Sequence, residues 1–331
     1  MVIYGHISID VREFLLRSPP DLIDVGASGG ISPHWLQHSR HLRIIGFEPD
    51  ARAFEKLRSN QGHSTKYLNL GLHSSRGQVN FYLTRKQEGS SCFEPNRAML
   101  ERFHKPERFD IIKKITILCD TLDEVLREEG LTDIDFIKLD TQGSELAILQ
   151  GASSLLTDYV FGLEIEVAFT ELYKGQPLFS DVDLFLRPFG FDLIDLRTVS
   201  WKRSVGATVG NSKGQLMYAD ALYFRQPLVL RSALEKMSGT LALSKLLRAV
   251  SICQIYGFYD YGLELMDIIG PDVFDEGEIR HLRERLRSEA PPASRLPNFP
   301  GRESLAELFM RLSRWLTPRS HKVKQPRLGN F

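Results

Sequence analysis

Short apolar segments alternate with helix-like segments through the first two hundred residues, and this alternation constrains the fold more than any other feature. A strand, a helix and a second strand in succession favour a right-handed crossover and parallel pairing. We therefore predict an α/β domain with a doubly wound, mostly parallel sheet covered by helices on both faces. Helices are expected at residues 51–57 and 122–129, and strands at residues 22–25, 42–47, 67–72, 78–83, 115–118, 134–139, 160–167, 191–196 and 222–224.

The first predicted strand leads into a glycine-rich loop, Gly26-Ala27-Ser28-Gly29-Gly30, and Ser32 with Pro33 is expected to begin the next helix. Glycines let the backbone approach a ligand closely, and ligands of such sheets bind beyond the carboxyl ends of the strands. The acidic Glu48 ends the next strand about 20 residues further on, where a carboxylate can accept hydrogen bonds from ribose hydroxyls. Together these features predict a cofactor that carries a nucleoside.

The loop favours a methyl donor over a dinucleotide. A dinucleotide fingerprint has glycine at its second conserved position so that the backbone can meet a pyrophosphate, and this chain has Ser28 there. S-adenosylmethionine lacks a pyrophosphate, and its sulfonium and amino-acid end suit a loop that follows the acidic Asp24. Two alternatives stay open on these residues, an NAD-dependent oxidoreductase and a non-catalytic nucleoside-binding protein.

Several motifs, taken in their order and spacing, resemble the FkbM family of methyltransferases. The most specific is the string from Asp135 to Leu146, which reads DFIKLDTQGSEL. The others are Ile23 to Ala27, Gly46 to Pro49, Thr121 to Asp123, Leu149 to Ala152, and the stretch from Glu164 to Phe185 with YKGQ at residues 173–176.

The resemblance covers about residues 21–225 and implies a class I, Rossmann-like methyltransferase fold with S-adenosylmethionine as donor. It implies an enzyme that methylates a hydroxyl on a sugar, glycan or secondary metabolite. It also places the loop residues Asp24, Gly26 and Ala27 and the acidic Glu48 at the cofactor. Ser28, which we count with them, stands where many class I enzymes have glycine.

Three carboxylates remain as candidates for the chemistry. Asp140 ends a predicted strand and is expected to face the crevice, although it could instead cap the helix that starts near Gly143. Glu164 and Glu166 lie two apart in an apolar strand and so share one face, where buried carboxylates need a partner. We take Asp140 and Glu166 as catalytic candidates. The predicted acceptor-binding residues are Gln142, Glu164 and Tyr173.

No metal site is predicted. Oxygen ligands from Asp140, Gln142 and Glu166 suit magnesium, but no spacing rule singles out a metal there. The nine histidines show no metal-binding pattern, and three widely spaced cysteines, Cys92, Cys119 and Cys253, indicate neither a disulfide framework nor a zinc site.

Composition narrows the partners and the location. A formal net charge of zero gives no global attraction to nucleic acid. No apolar run approaches the roughly 20 residues that span a bilayer, and the first residues do not resemble a secretion signal. A cytoplasmic enzyme with a small-molecule or glycan acceptor, and without a nucleic-acid partner, is therefore expected.

Three segments are predicted. Residues 1–228 form the methyltransferase domain, with residues 86–110 covering the site, and residues 229–285 form a helical extension that packs on it or on a second subunit in a homodimer. Residues 286–331 form a tail with nine Lys and Arg against three Asp and Glu, and with six of the sixteen prolines. It is expected to begin as a linker and to carry one amphipathic helix near residues 305–316, which packs on the protein, docks on a partner or lies on a membrane surface.

Overall fold

The computed structural model describes residues 18–31, 35, 42–59, 62, 64–131, 133–206, 213–290, 299–316, 322–324 and 328. The strands are β1 (Asp21–Val25), β2 (Arg43–Phe47), β3 (Thr65–Leu68), β4 (Gly71–Leu72), β5 (Gly77–Thr84), β6 (Ile111–Asp120), β7 (Phe136–Leu139), β8 (Gly162–Ala168), β9 (Phe191–Trp201), β10 (Gln215–Arg225) and β11 (Lys322–Lys324). The helices are α1 (Ala51–Arg58), α2 (Arg97–Leu100), α3 (Leu122–Glu128), α4 (Glu145–Gln150), α5 (Ser153–Asp158), α6 (Phe179–Leu186), α7 (Pro227–Leu234), α8 (Gly239–Ile255), α9 (Tyr259–Ile268), α10 (Gly270–Val273), α11 (Glu276–Glu289) and α12 (Arg302–Leu316).

The central sheet has the strand order β11-β9-β10-β8-β7-β1-β2-β3. Strands β3, β2, β1, β7 and β8 are parallel, whereas β10 runs antiparallel to both β8 and β9. The predicted α/β class with a mostly parallel sheet is therefore confirmed. Because β1 lies between β2 and β7, the loops that follow these three strands meet at one edge of the sheet.

The prediction of one strand at residues 67–72 is wrong. The chain leaves the central sheet after Leu68, and Gly71 begins β4 in a separate three-stranded sheet of order β4-β6-β5. Between them, the amide of Asn69 donates to the carbonyl oxygen of Glu48 at 2.7 Å. The apolar runs at 78–83 and 115–118 pair with each other in this sheet as an antiparallel hairpin, so they do not extend the parallel sheet.

The two faces of the central sheet carry different layers. One face, with Ile23, Ile137 and Ile165, packs with residues of α3 to α6. The opposite face carries Leu22, Phe136 and their neighbours, and these pack with α7 to α11 of the helical extension. The extension thus packs on the central sheet of the same chain.

The predicted segment boundary at Leu286 falls inside α11, which continues to Glu289, and Leu286 is buried. The tail is also more than a linker. Its β11 pairs antiparallel with the edge strand β9, and Leu328 is buried in the same core cluster as the extension. The predicted amphipathic helix is present as α12, where Leu305, Leu308, Phe309 and Leu312 are exposed.

No helix among the described residues is both long enough and apolar enough to cross a membrane.

Candidate active site

Charged side chains form two rows across the carboxyl ends of the central strands. Asp24, Lys138 and Glu164 are register neighbours on β1, β7 and β8. One step nearer the strand ends, Glu166, Asp220 and Arg197 are neighbours on β8, β10 and β9. Since alternate residues of a strand share a face, both rows lie on the face that the extension covers further down. The charges therefore begin where the apolar packing of that face ends.

The glycine loop is held tightly against the end of β7. Gly26 has a φ of +80°, and a Cβ there would lie 2.0 Å from the carbonyl oxygen of Asp140. Any other residue would therefore be strained in backbone conformation and would clash with backbone atoms. The loop and Asp140 are thus adjacent, as the strand order requires. The predicted helix start at Ser32 and Pro33 lies outside the described residues.

Glu48 is buried directly beside this loop. One of its carboxylate oxygens accepts the backbone N–H of Asp50 at 2.8 Å, and the backbone of Ser28 donates to it as well. Burial raises the pKa of Glu48 to about 7, against the lowering effect of these hydrogen bonds. An acid that is half protonated at neutral pH is one that a new hydrogen-bond donor can readily ionise.

Gln142 joins the two catalytic candidates. Its side-chain amide donates to Asp140 at 2.9 Å and to Glu166 at 2.6 Å, while its amide oxygen lies 3.0 Å from the hydroxyl of Tyr173. Its backbone has a φ of +60°, which is strained for a residue with a side chain. A further hydrogen bond, from the hydroxyl of Ser91 to the carbonyl oxygen of Gln142 at 2.7 Å, stabilises this backbone conformation.

Glu166 and Asp220 are held in an environment that favours their neutral forms. Burial raises the pKa of Glu166 well above its usual range, and the nearby Asp140 and Asp220 raise it further. Burial likewise raises the pKa of Asp220 to about 6, although Arg197 works against the rise. Like-charged carboxylates in one crevice cannot all ionise easily, which is a common feature of catalytic sites.

Two of the residues predicted to bind the cofactor, Asp24 and Ala27, have buried side chains that do not line the crevice. Asp24 is buried and pairs with Lys138 at 3.1 Å, and it does not line the crevice. Burial works to lower the pKa of Lys138, but Asp24, Asp140 and Glu164 raise it, so this ammonium stays charged. The side chain of Ala27 is buried against Leu57 and Tyr67, which leaves only its backbone to face a ligand.

Two acceptor candidates also have structural partners. Glu164 accepts a 2.6 Å hydrogen bond from Tyr256, which in turn accepts one from the indole of Trp35 at 3.0 Å. Tyr173 is buried, and its hydroxyl lies 2.9 Å from the carbonyl oxygen of Gly89 in addition to contacting Gln142. Glu164 borders the crevice, whereas Tyr173 supports its wall from behind.

Asp140 does not cap the following helix, which begins at Glu145. Glu145 holds the intervening turn instead. Its carboxylate accepts the backbone N–H groups of Thr141 at 2.7 Å and Gly143 at 2.9 Å, and its pKa is raised to about 7 by burial. The side chain of Asp140 is left to face the crevice.

The crevice opens into a cleft of about 710 Å³. A second, small cavity of about 60 Å³ lies next to Glu48 and Pro49. The covering segment, residues 86–110, forms part of the roof of the cleft, as the sequence predicts. Five residues line both cavities and so mark their junction, namely Gly26, Ser28, Glu88, Asp140 and Gln142.

Sequence reasoning missed several residues of this cleft. Lys138 is within the DFIKLD string and could have been found there, since a lysine in a buried strand requires a nearby acid. Arg108, Arg197, Asp220 and Tyr256 carry no local signal. Arg197 and Asp220 reach the site through strand pairing, Tyr256 through helix packing, and Arg108 through the contact of the covering segment with Trp201.

The strand order, the glycine loop and the acidic residue after β2 define a class I S-adenosylmethionine-dependent methyltransferase. The profile of the methyltransferase FkbM domain matches residues 24–193, which is about half of the chain, and the protein belongs to this family. Its methyl donor is S-adenosylmethionine.

Two curated relatives are methyltransferases. 2-O-methyltransferase NoeI from Sinorhizobium fredii is 29% identical over 180 residues, which cover 51% of this chain and 73% of the relative. Methyltransferase sdnD from Sordaria araneosa is 26% identical over 201 residues, covering 54% and 76% of the two chains.

Among solved structures, precorrin-6y C5,15-methyltransferase from Geobacter metallireducens aligns with 68% of this chain and 94% of its own, at 11% identity and a TM-score of 0.33.

The residues present fit the cofactor. The backbone at Gly26 is free of a Cβ where the loop meets Asp140, and Glu48 offers a carboxylate beside a cavity rather than within solid packing. Among the described residues, no group of three His, Cys, Asp or Glu side chains is arranged to hold a metal ion.

Proposed function

We propose that this enzyme transfers the methyl group of S-adenosylmethionine to a hydroxyl of a sugar, a glycan or a secondary metabolite. In this proposal Gly26, Ser28 and Glu48 contact the cofactor, and the backbone of Ala27 shapes the loop. Asp24 contributes by fixing Lys138 beneath the loop. The name of the relative NoeI, a 2-O-methyltransferase, supports a hydroxyl as acceptor.

The observation that carries the proposal is the position of Asp140. It is one of the five residues that line both the small cavity beside Glu48 and the large cleft. A donor seated against the glycine loop and an acceptor seated in the cleft would meet at such a junction. Proximity and orientation of this kind supply much of the rate of a methyl transfer.

The carboxylates then have distinct roles. When bound, the cofactor would supply an electrophilic methyl group. Formation of the new O–C bond would be matched by cleavage of the S–CH3 bond, with S-adenosylhomocysteine as the leaving group, and the attacking hydroxyl must lose its proton to a base. Asp140 is exposed to the cleft and accepts this proton or orients the hydroxyl. Glu166 is linked to Asp140 through hydrogen bonds from the side-chain amide of Gln142. Its pKa is raised in part by Asp140, so the negative charge is distributed over both carboxyl groups. Glu164 and Tyr173 position this network from the sides.

We further propose a division of the chain into domains and a location in the cell. Residues up to about 228 form the catalytic domain, and the extension stabilises its sheet. A cytoplasmic location is supported by the three cysteines, all of which are free, since disulfides are rare in reducing compartments.

The test is methyl transfer by the purified full chain. S-adenosylmethionine labelled in its methyl group would be incubated with a panel of hydroxylated sugars, oligosaccharides and polyketides, with matched amine and thiol compounds as controls. Transfer to oxygen, located by mass spectrometry and NMR, is the expected result. Transfer only to nitrogen, sulfur or carbon would overturn the choice of acceptor, and NAD binding without S-adenosylhomocysteine binding would overturn the donor site.

A further inference from the structure

Four cations line the large cleft, and three of them have a carboxylate partner. Lys138 pairs with Asp24 at 3.1 Å, Arg197 pairs with Asp220, and Lys86 pairs with Glu88 at 3.6 Å. Arg108 is the fourth. Within the described part of the chain its side chain makes no ion pair or hydrogen bond, and its Nε is buried without an acceptor.

Arg108 is held in place by aromatic rings rather than by an acid. Its guanidinium carbon lies 4.5 Å from the ring centroid of Trp201 and 4.8 Å from that of Phe109. Stacking of this kind fixes the plane of the guanidinium and leaves its N–H donors free for a ligand. Burial lowers the pKa of Arg108, and Tyr218, Tyr173 and Glu107 offset this effect only in part.

The position of Arg108 separates it from the cofactor. The strand order runs β2, β1, β7, β8, β10, β9, so Glu48 after β2 and Trp201 at the end of β9 lie on opposite sides of Asp140. Arg108 lines the large cleft and does not line the small cavity beside Glu48. It therefore faces the part of the cleft assigned to the acceptor.

We propose that Arg108 recognises an anionic group on the acceptor, a carboxylate or a phosphate, which pairs with the guanidinium while a hydroxyl of the same molecule lies at Asp140. This inference rests on the proposed function and specifies its acceptor class. A planar guanidinium binds such groups through two parallel hydrogen bonds. The acceptor is thus bound at two ends, its hydroxyl by the strand-end carboxylates and its anion by the covering segment.

The experiment measures binding to the full-length protein saturated with S-adenosylhomocysteine. The probes are glucose, glucuronate, glucose 6-phosphate and inorganic phosphate. Binding is measured by calorimetry and by the intrinsic tryptophan fluorescence, to which Trp201 beneath the guanidinium contributes. Glucuronate and glucose 6-phosphate separate the carboxylate from the phosphate as the recognised group. Inorganic phosphate tests the anion site without depending on the sugar.

We expect at least one anionic probe to bind roughly tenfold or more tightly than glucose, as charge-assisted hydrogen bonds allow. Arg108→Gln should abolish this preference, and Arg108→Lys should keep part of it. Arg85→Gln is the matched control, since Arg85 is exposed beside the covering segment and pairs with Asp110 outside the cleft.

Equal binding of charged and neutral probes by the parent protein, or no binding of any anion, would overturn the inference. So would an unchanged preference in Arg108→Gln. Weaker binding of S-adenosylhomocysteine by this variant would assign Arg108 to the cofactor's carboxylate instead. Failure of the proposed function is a separate result, because it would be seen as absent methyl transfer to oxygen whatever the probes show.

Discussion

The central sheet carries a cluster of charges at each end, and the two clusters differ in balance. At the amino ends of the strands, three acids, Asp21, Asp133 and Asp135, meet three cations, Arg43, Lys245 and Arg248. At the carboxyl ends, the strands and the residue that follows β7 contribute five acids and only two cations, namely Asp24, Asp140, Glu164, Glu166 and Asp220 with Lys138 and Arg197.

The pKa directions of Asp133, Glu166 and Asp220 follow this difference, whereas burial raises the pKa of Asp21 although its partner Arg43 lowers it. Burial would raise the pKa of Asp133, but Lys245 and Arg248 bring it below its usual value. Glu166 and Asp220, with fewer cations nearby, have raised pKa values. A charge cluster that only joins two parts of a fold can be neutralised, whereas one that must bind a ligand or move a proton is left incomplete. The comparison thus separates structural from functional charges in one molecule.

The largest effect is expected from Asp140→Asn. The amide keeps the shape of the side chain but cannot accept a proton, so methyl transfer should fall by roughly 10²- to 10⁴-fold, the usual contribution of a positioned base. Affinity for S-adenosylhomocysteine, measured by calorimetry, should change little. Glu166→Gln is the companion variant. If it is the slow one and Asp140→Asn is fully active, the proton acceptor is on β8.

The amino-end cluster is tested by Lys245→Met. Lys245 is buried and contacts Asp133 at 2.6 Å, Asp135 at 2.9 Å and the carbonyl oxygen of Ile134 at 2.8 Å. Its removal leaves Arg248 as the one remaining cation beside the buried Asp135 and the half-buried Asp133. The free energy of unfolding should fall by about 3–5 kcal/mol, measured by urea denaturation. The rate of methyl transfer per folded molecule should stay at the parental value.

Lys236→Met is the control for that variant, because Lys236 is exposed on the same extension. A change within about 0.5 kcal/mol is expected there. An equally small loss in Lys245→Met would show that the amino-end cluster does not fasten the extension to the sheet.

The sequence predicts one cluster far better than the other. Asp24 is the last residue but one of an apolar strand, and Glu48 and Asp140 each follow one. Their meeting at one sheet edge can therefore be deduced from a pattern that local residues carry. Lys245 and Arg248 lie in α8, more than one hundred residues from the acids they contact. Nothing in the helix itself indicates that two basic residues on it are buried.

The same limit applies to the small sheet and to the tail. Apolar runs at 78–83 and 115–118 look like further parallel strands because periodicity does not say which partner a strand has. In the tail, proline content and charge suggested a linker, but pairing of β11 with the sheet edge depends on tertiary contacts that composition cannot encode. The carboxylates at the strand ends of the site can be predicted from the sequence, whereas Arg108 of the covering segment cannot.

Deleting residues 291–331 should have an intermediate effect. It tests how much the tail stabilises the sheet face that carries both charge clusters. The truncated protein is expected to fold and to bind S-adenosylhomocysteine, because the sheet loses only its edge strand β11 and α7 to α11 stay complete. Its free energy of unfolding should fall by about 1.5–3 kcal/mol through the loss of buried Leu328. Leu328→Ala in the full chain should reproduce most of this loss, and an insoluble truncated protein would place the tail within the essential core.

The smallest effect is expected from pH, and it tests Glu48, the acid that follows β2 at the same edge of the sheet as the carboxyl-end cluster. Its pKa is raised to about 7 by burial, and only the ionised carboxylate can accept hydrogen bonds from both ribose hydroxyls. Affinity for S-adenosylhomocysteine should therefore rise roughly tenfold between about pH 6 and about pH 8, since the ionised fraction falls tenfold per unit below the pKa. The free energy of unfolding of the unliganded protein should change in the opposite direction. A carboxyl group whose pKa is raised in the folded state stabilises the fold fully below the pKa of the unfolded state, and this stability is lost as pH rises through about 7.

Glu48→Gln cannot titrate, so the pH dependence of affinity and that of the free energy of unfolding should both flatten relative to the parent. Calorimetry and urea denaturation across this range measure them. Parallel pH profiles for variant and parent would remove Glu48 from the cofactor site and leave its carboxylate with a role in holding Ser28 and Asp50 alone.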